Sequence, residues 1–477
     1  MKKVLLITCI AVFSSGIAVS ASDINDNLNK PGIDNDLPEV SKSSVDLSLP
    51  DVFLLSDEDN KQEDNIRTDD LSQMMTFAKA ISKLTLGGYG EAAYTRNFYS
   101  DQWQRYSNAA SHKDAKSHGR FDLPHVVFLV GYDFGKGWSF NSEIEFEHGG
   151  TESAIEIEAE EMGEYENEIE RGAEVALEQF WIQKSFSNAL NLRLGHIIVP
   201  VGLTNQYHLP TEFFTVYRPE GESTIFPCTW HETGISIWGR TKHWRYEAQF
   251  LPGLDADRFG SQGFISGGAG SPYEFKIANS YAGAIRLDNY SVKGLRIGLS
   301  GYFGYSFNNS LTKNTRFQDY NGEVIIGSVD FQYNKYNILA RGHFDWGHLN
   351  DSEEITRFNK SLQSGSPSPK TPIASDAVAA GIEAGYDIFA HIEKMKRDKQ
   401  KFYVFGRYEY YDSMAKVESG IIDYGWCGKH RMAAGVNYYP MKEIVIKAEY
   451  SKRFYQSKYN DEPSVSLGVA YSGFFTR

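Results

Sequence analysis

From Lys83 to the end of the chain, apolar residues recur at every second position, and this rhythm limits the fold more than any other feature. A period of two is that of a β-strand, whose successive side chains point to opposite faces. In the stretch 138–147, Trp138, Phe140, Ile144 and Phe146 share one face, and Asn141, Glu143, Glu145 and Glu147 the other. Phe402, Val404, Tyr408 and Tyr410 likewise oppose Arg407 and Glu409, and Ile338, Ala340 and Phe344 oppose Arg341, His343 and Asp345. Ile444, Ile446, Ala448 and Tyr450 oppose Lys447 and Glu449, and the last segment repeats the pattern with Val465, Leu467, Val469, Tyr471 and Phe475. About sixteen strands are predicted. They fall near 83–95, 121–134, 137–149, 174–186, 189–199, 231–239, 242–251, 278–287, 294–306, 321–333, 336–349, 375–389, 400–412, 428–439, 442–455 and 463–475.

The connections alternate in length. Gly135-Lys136, Ser187-Asn188, Thr241-Lys242, Asn334-Lys335 and Pro440-Met441 read as tight turns. Long polar stretches at 96–120, 150–173, 200–230, 252–277, 307–320, 350–374 and 413–427 lie between them. Short turns on one rim and long loops on the other mark a transmembrane antiparallel β-barrel, not a soluble sandwich or propeller. An even strand count leaves both chain ends on the short-turn, periplasmic side.

Residues 1–21 carry Lys2 and Lys3, a short apolar run and Val19-Ser20-Ala21, the pattern of a secretory signal peptide. Residues 22–82 form an acidic segment of a flexible type, with a short amphipathic helix or a linker turn over 71–81. The barrel is assigned to 83–477. No further run is apolar enough for a membrane helix, and in lipid only a closed barrel otherwise satisfies the backbone. The mean hydropathy of −0.43 agrees, because only alternate strand residues meet lipid. The net charge of −14 argues against nucleic acid as a partner. The expected surroundings are outer-membrane lipid and lipopolysaccharide.

A charge on the lipid face costs about 2–4 kcal/mol for Arg or Lys at the midplane, so the charged faces are expected to point inward. That assigns Glu143, Glu145, Glu147, Arg193, Arg245, Glu247, Arg286, Arg341, Arg407, Glu409, Lys447, Glu449 and Arg453 to the pore lining. Their alternative role is as ion-pair partners that stiffen the wall. About sixteen strands enclose an aqueous channel, so small hydrophilic solutes or ions are the expected cargo. The loop 200–230 is expected to fold inward as a constriction, presenting Tyr207, His208, Glu212, Arg218, Glu220 and Glu222; an ordinary surface loop is the alternative. Residues 152–178 hold eleven Glu and one Arg, suited to a solvated acidic hairpin or to gathering divalent cations at the mouth. Cys228 and Cys427 are available to pair in an oxidising compartment.

Neither a nucleophile motif nor a metal-ligand spacing occurs, so no catalytic residue, metal or cofactor is assigned. His112, His118, His208 and His231 read as surface polar residues. Besides a passive pore, an outer-membrane enzyme and a structural or adhesive barrel remain open.

Several stretches resemble the phosphate-selective porin O and P family. They are Gly88-Tyr89-Gly90-Glu91, Arg193-Leu194-Gly195-His196 with Val199-Pro200-Val201-Gly202-Leu203, His231-Glu232-Thr233-Gly234-Ile235 with Gly239, Phe250-Leu251-Pro252-Gly253-Leu254-Asp255, and Val292-Lys293-Gly294-Leu295-Arg296-Ile297-Gly298. The resemblance runs from about residue 83 to the end. It implies a sixteen-stranded, usually trimeric barrel with an inward constriction loop and basic residues guiding anions. The acidic composition and mixed inward faces point instead to a general or weakly cation-selective porin.

Overall fold

The computed structural model describes residues 83–114, 117–149, 175–270, 277–309, 319–361 and 372–475. The leader, the acidic segment with its helix, and most of the Glu-rich stretch lie outside the described residues.

Seventeen strands occur among the described residues. They are β1 (Leu84–Asn97), β2 (His118–Asp122), β3 (His125–Gly135), β4 (Trp138–Glu147), β5 (Val175–Ser187), β6 (Leu190–Ile198), β7 (His231–Arg240), β8 (Trp244–Pro252) and β9 (Tyr281–Asn289). The chain continues with β10 (Leu295–Tyr305), β11 (Glu323–Lys335), β12 (Ile338–Leu349), β13 (Asp376–Asp387), β14 (Lys401–Lys416), β15 (Lys429–Met441), β16 (Ile444–Phe454) and β17 (Glu462–Phe474). From β3 onward each strand pairs antiparallel with the next, and β1 pairs with β17 from Gly87–Phe474 to Asn97–Ser464, which closes the barrel. β2 and β3 both pair with β1 and make one stave, so the staves number sixteen. The break falls at Leu123-Pro124, because proline has no N–H for the ladder.

The turns sit one or two residues from their expected places. The turn joining β11 to β12 is Tyr336-Asn337 rather than Asn334-Lys335. Both residues have positive φ, 56° and 63°, as a two-residue hairpin with the right-handed twist requires. The turn joining β15 to β16 is Lys442-Glu443, since β15 runs through Pro440 to Met441. One connection on the short-turn rim is longer: between β13 and β14 lie a 3₁₀ turn (Ile388–His391) and a helix (Glu393–Arg397).

The two faces differ as the rhythm requires. Ile235, Ile237, Ile285, Leu287, Leu299, Val329, Phe344, Val404, Leu467 and Val469 point outward and are exposed. Aromatic residues gather toward the ends of this face, with Phe134, Trp138, Phe186, Trp244 and Tyr386 at the short-turn rim and Phe250, Tyr281, Phe303 and Tyr305 at the other. That distribution matches the girdles of a membrane barrel. No helix among the described residues is long and apolar enough to cross a membrane. Leu299 is 56% exposed and lies mid-strand, opposite Leu287 and Val329. Leu299→Arg is therefore expected to destabilise the folded barrel in lipid by about 2–4 kcal/mol, read from the urea midpoint of reversible folding.

Candidate functional site

The inward face carries charge in two unlike sectors. On β1, β4 and β5, Glu91, Glu143, Glu145 and Glu178 are all buried. A bulge creates part of this wall. Gln179 pairs with Glu143 and Leu177 with Ile144, so Glu178 is an extra residue and turns inward beside Gln179. His125 places Nδ1 2.8 Å from Glu145 and 3.8 Å from Glu147, and Nε2 3.9 Å from Glu91. Gln179 donates to Glu143 at 2.7 Å, and the Tyr89 hydroxyl donates to Glu178 at 3.2 Å.

From β8 to β17 the wall is a chain of alternating charges. Arg245 meets Glu247 at 2.7 Å. Arg286 lies 2.9 Å from both Asp288 and Asp330, and Arg296 reaches the same pair at 2.8 and 2.5 Å. Arg341 meets Glu383 at 2.6 Å, and Arg407 bridges Glu383 and Glu409 at 2.8 Å each. Arg431 meets Glu449 and Glu220 at 3.3 Å, and Arg453 holds Glu220 at 2.5 Å and Glu462 at 3.1 Å. Arg193 also stacks on Trp181 at 4.5 Å and donates to Gln183 at 3.2 Å. Most of the charges expected to line open water are thus joined to neighbours and buried. Arg296, Arg431, Asp288, Asp330, Glu383 and Glu462 belong to the same network; the alternation carried them too, but the sequence reading passed over them. An arginine ladder is therefore present, each member neutralised by carboxylates.

The loop between β6 and β7 occupies the space these walls surround. Its base is closed by Val199 donating to Trp230 at 2.9 Å. Gly202 has φ +83°, and a Cβ there would lie 2.3 Å from the Glu222 carboxylate. Only glycine makes this entry turn and leaves room for Glu222, which accepts from the Leu203 and Asn205 N–H groups at 2.8 Å each. That locks the two limbs together. The tip reaches both walls. His208 lies against Tyr89 and 3.7 Å from Glu178. Leu209 packs on Tyr89 and Val127. On the opposite side, Lys447 donates to the carbonyls of Phe213 at 2.9 Å and Thr215 at 2.8 Å. Glu449 accepts from Val216 N–H at 2.9 Å, and Phe214 stacks on Phe405. Tyr207 lies under Arg296, 4.4 Å from its guanidinium. On the return limb a short helix, α1 (Glu220–Ile225), is pinned by Gly221 N–H donating to Glu409 at 3.0 Å. Tyr411 also donates to Glu220.

His208 is a correction to the sequence reading, since it is 8% exposed rather than at the surface. Burial lowers it to about 4 despite nearby Glu178, so it is neutral at physiological pH. Burial raises Glu212 to about 7, with Arg341 and Arg296 pulling the other way. Burial also raises Glu222 to about 7, reinforced by Asp345. For Glu220 burial is outweighed by Arg431 and Arg453, which hold it well below the usual carboxylate range. Cys228 and Cys427 are free thiols.

Between β8 and β9 the segment 253–270 also turns inward where a polar loop was expected. Leu254, Phe259, Phe264 and Ile265 are buried with Ile225, Phe226 and Trp230 against β9 to β14. Ser413 and Cys427 donate to the Ser261 carbonyl at 2.6 and 3.5 Å. The apolar residues inside that stretch were the missed signal. This packing fills one side of the barrel mouth. Partly exposed polar groups also stand on the other side, among them Tyr217, Arg218 and Glu220 on the loop and His125, Glu147 and Arg453 on the wall, with Arg120 exposed beside them. Arg120 stands over the Tyr217 ring at 5.4 Å, and Arg218 donates to Thr229 at 2.7 Å.

No family model matches the chain. It is similar to an uncharacterized protein of Aquifex aeolicus (strain VF5), 27% identical over 402 residues, covering 82% of this chain and 80% of that protein. Among solved structures it is similar to OprB of Pseudomonas putida, with a TM-score of 0.48, 9% identity, and 85% of this chain and 97% of that one covered. It is also similar to an anion-selective porin from Comamonas acidovorans, with a TM-score of 0.45, 11% identity, and 82% and 99% covered.

Proposed function

We propose that the chain is an outer-membrane porin whose water path is narrowed by the loop 200–230 and restricted to one sector of the lumen. The observation that carries this is the charged inward wall with a loop docked across it, leaving polar groups partly exposed from Tyr217 to Arg453. A wall of opposite charges in a wet lumen offers a path for small hydrophilic solutes and ions. The apolar outer face supplies the contact with outer-membrane lipid. The chain is read as a channel and not an enzyme, exported by its leader, with the barrel at 83–477 and the trimer of the resembled family as its expected assembly.

The path favours cations modestly, because the arginine ladder is neutralised, the half-buried Glu147 stands on the facing wall, and the chain as a whole carries a net charge of −14. The reversal potential under a potassium chloride gradient tests this, and clear anion preference would support a phosphate-type porin instead. The cation preference is also expected to grow from about pH 5 to about pH 8 as Glu212 ionises and adds negative charge at the loop. A flat profile would remove Glu212 from the path.

A further inference from the structure

Where α1 meets the wall, three buried side chains converge. Glu222 from the loop faces His343 and Asp345 from β12, and one ligand atom of each lies within 4.8 Å of the other two. The position of Glu222 is fixed by the Leu203 and Asn205 N–H groups, yet a carboxylate accepting two such bonds keeps lone pairs to spare. His343 Nδ1 lies 2.5 Å from Asp345 Oδ2. The remaining oxygen, Asp345 Oδ1, has no hydrogen-bond partner, nor does His343 Nε2, although the two side chains are 0% and 1% exposed. Gly381 keeps the space beside Nε2 open, since a Cβ there would lie 2.5 Å away.

Two carboxylates and an imidazole with spare lone pairs form a costly cluster in a dry site unless something neutralises them. A single nitrogen with carboxylate oxygens suits a borderline divalent cation of the zinc class better than calcium or magnesium, which take oxygen alone. We infer that Glu222, His343 and Asp345 bind one such cation, which fastens the inward loop to β12. The rival arrangement is a protonated His343 shared between the two carboxylates. The inference stands apart from the channel reading, because metal retention is measured without any current.

Zinc is the probe. The folded full chain is loaded with zinc, dialysed against zinc-free buffer and analysed for metal. About one retained equivalent and a raised melting temperature are expected. His343→Ala and Glu222→Gln should each lower retention roughly tenfold, whereas His125→Ala, at the other cluster of possible ligands (His125, Glu145 and Glu147), should leave it unchanged. No retention by the wild type, or retention indifferent to both site variants, would overturn the site in favour of the shared proton. Should those variants misfold, zinc-edge absorption on the folded His125→Ala variant, which lacks the other imidazole cluster, decides the matter. One imidazole with an oxygen shell supports the site, and several imidazoles or sulfur in the shell refutes it.

Discussion

Deleting residues 205–225 is expected to raise single-channel conductance several-fold. The loop sends Leu209 to the β1–β3 wall and Phe213, Phe214 and Val216 to the β14–β17 wall, so it spans the lumen instead of lining one side. Its removal withdraws aromatic bulk from the path and returns Lys447, Glu449 and Glu409 to water, where their lost loop contacts are replaced by hydration. The wall itself survives, because Ile198 pairs with His231 and Val199 with Trp230 outside the deleted stretch. Heat-modified gel migration checks that the barrel has folded. Unchanged conductance in a folded variant would place the path away from the loop.

Arg286→Ala is expected to destabilise the folded barrel by about 3 kcal/mol. Breaking a buried ion pair costs about 3–5 kcal/mol, since the remaining charge is left without its partner. Arg286, Asp288 and Asp330 all have side-chain exposures of 0%, and Arg286 also donates to the Gly202 carbonyl at 2.8 Å, where the inward loop begins. Arg296 still touches both aspartates after the change, which sets the expectation at the lower end of the range. Arg286→Lys keeps the charge but not the fork, so its loss should be smaller. The urea midpoint of folding in lipid reads both variants. A loss under about 1 kcal/mol for Arg286→Ala would mean that water already solvates the pair.

The barrel was legible in the sequence because lipid on one side and water on the other impose a strict alternation on every stave. All sixteen predicted segments correspond to staves, including the one interrupted at Pro124. What the alternation does not encode was missed. The bulge that turns Glu178 inward beside Gln179 breaks the rhythm by a single residue inside a stretch of glutamates. Partners along the arginine ladder lie on different strands, and no local spacing relates Arg286 to Asp330 or Arg453 to Glu220. The burial of His208 follows from a tertiary contact with Tyr89 and Glu178, not from its neighbours in sequence. The inward turn of 253–270 was readable in principle, since Leu254, Phe259, Phe264 and Ile265 make a poor solvent-facing loop. The tight entry of the loop 200–230 was also present, in Gly202, whose left-handed backbone makes room for Glu222. The joining of the two limbs by Glu222 was not.

Insertion of the purified full chain into a planar bilayer decides most directly whether a wet path runs past the docked loop. Discrete ohmic current steps, smaller than those of the variant lacking 205–225, are expected. A folded barrel that inserts and carries no current, with or without the loop, would contradict it.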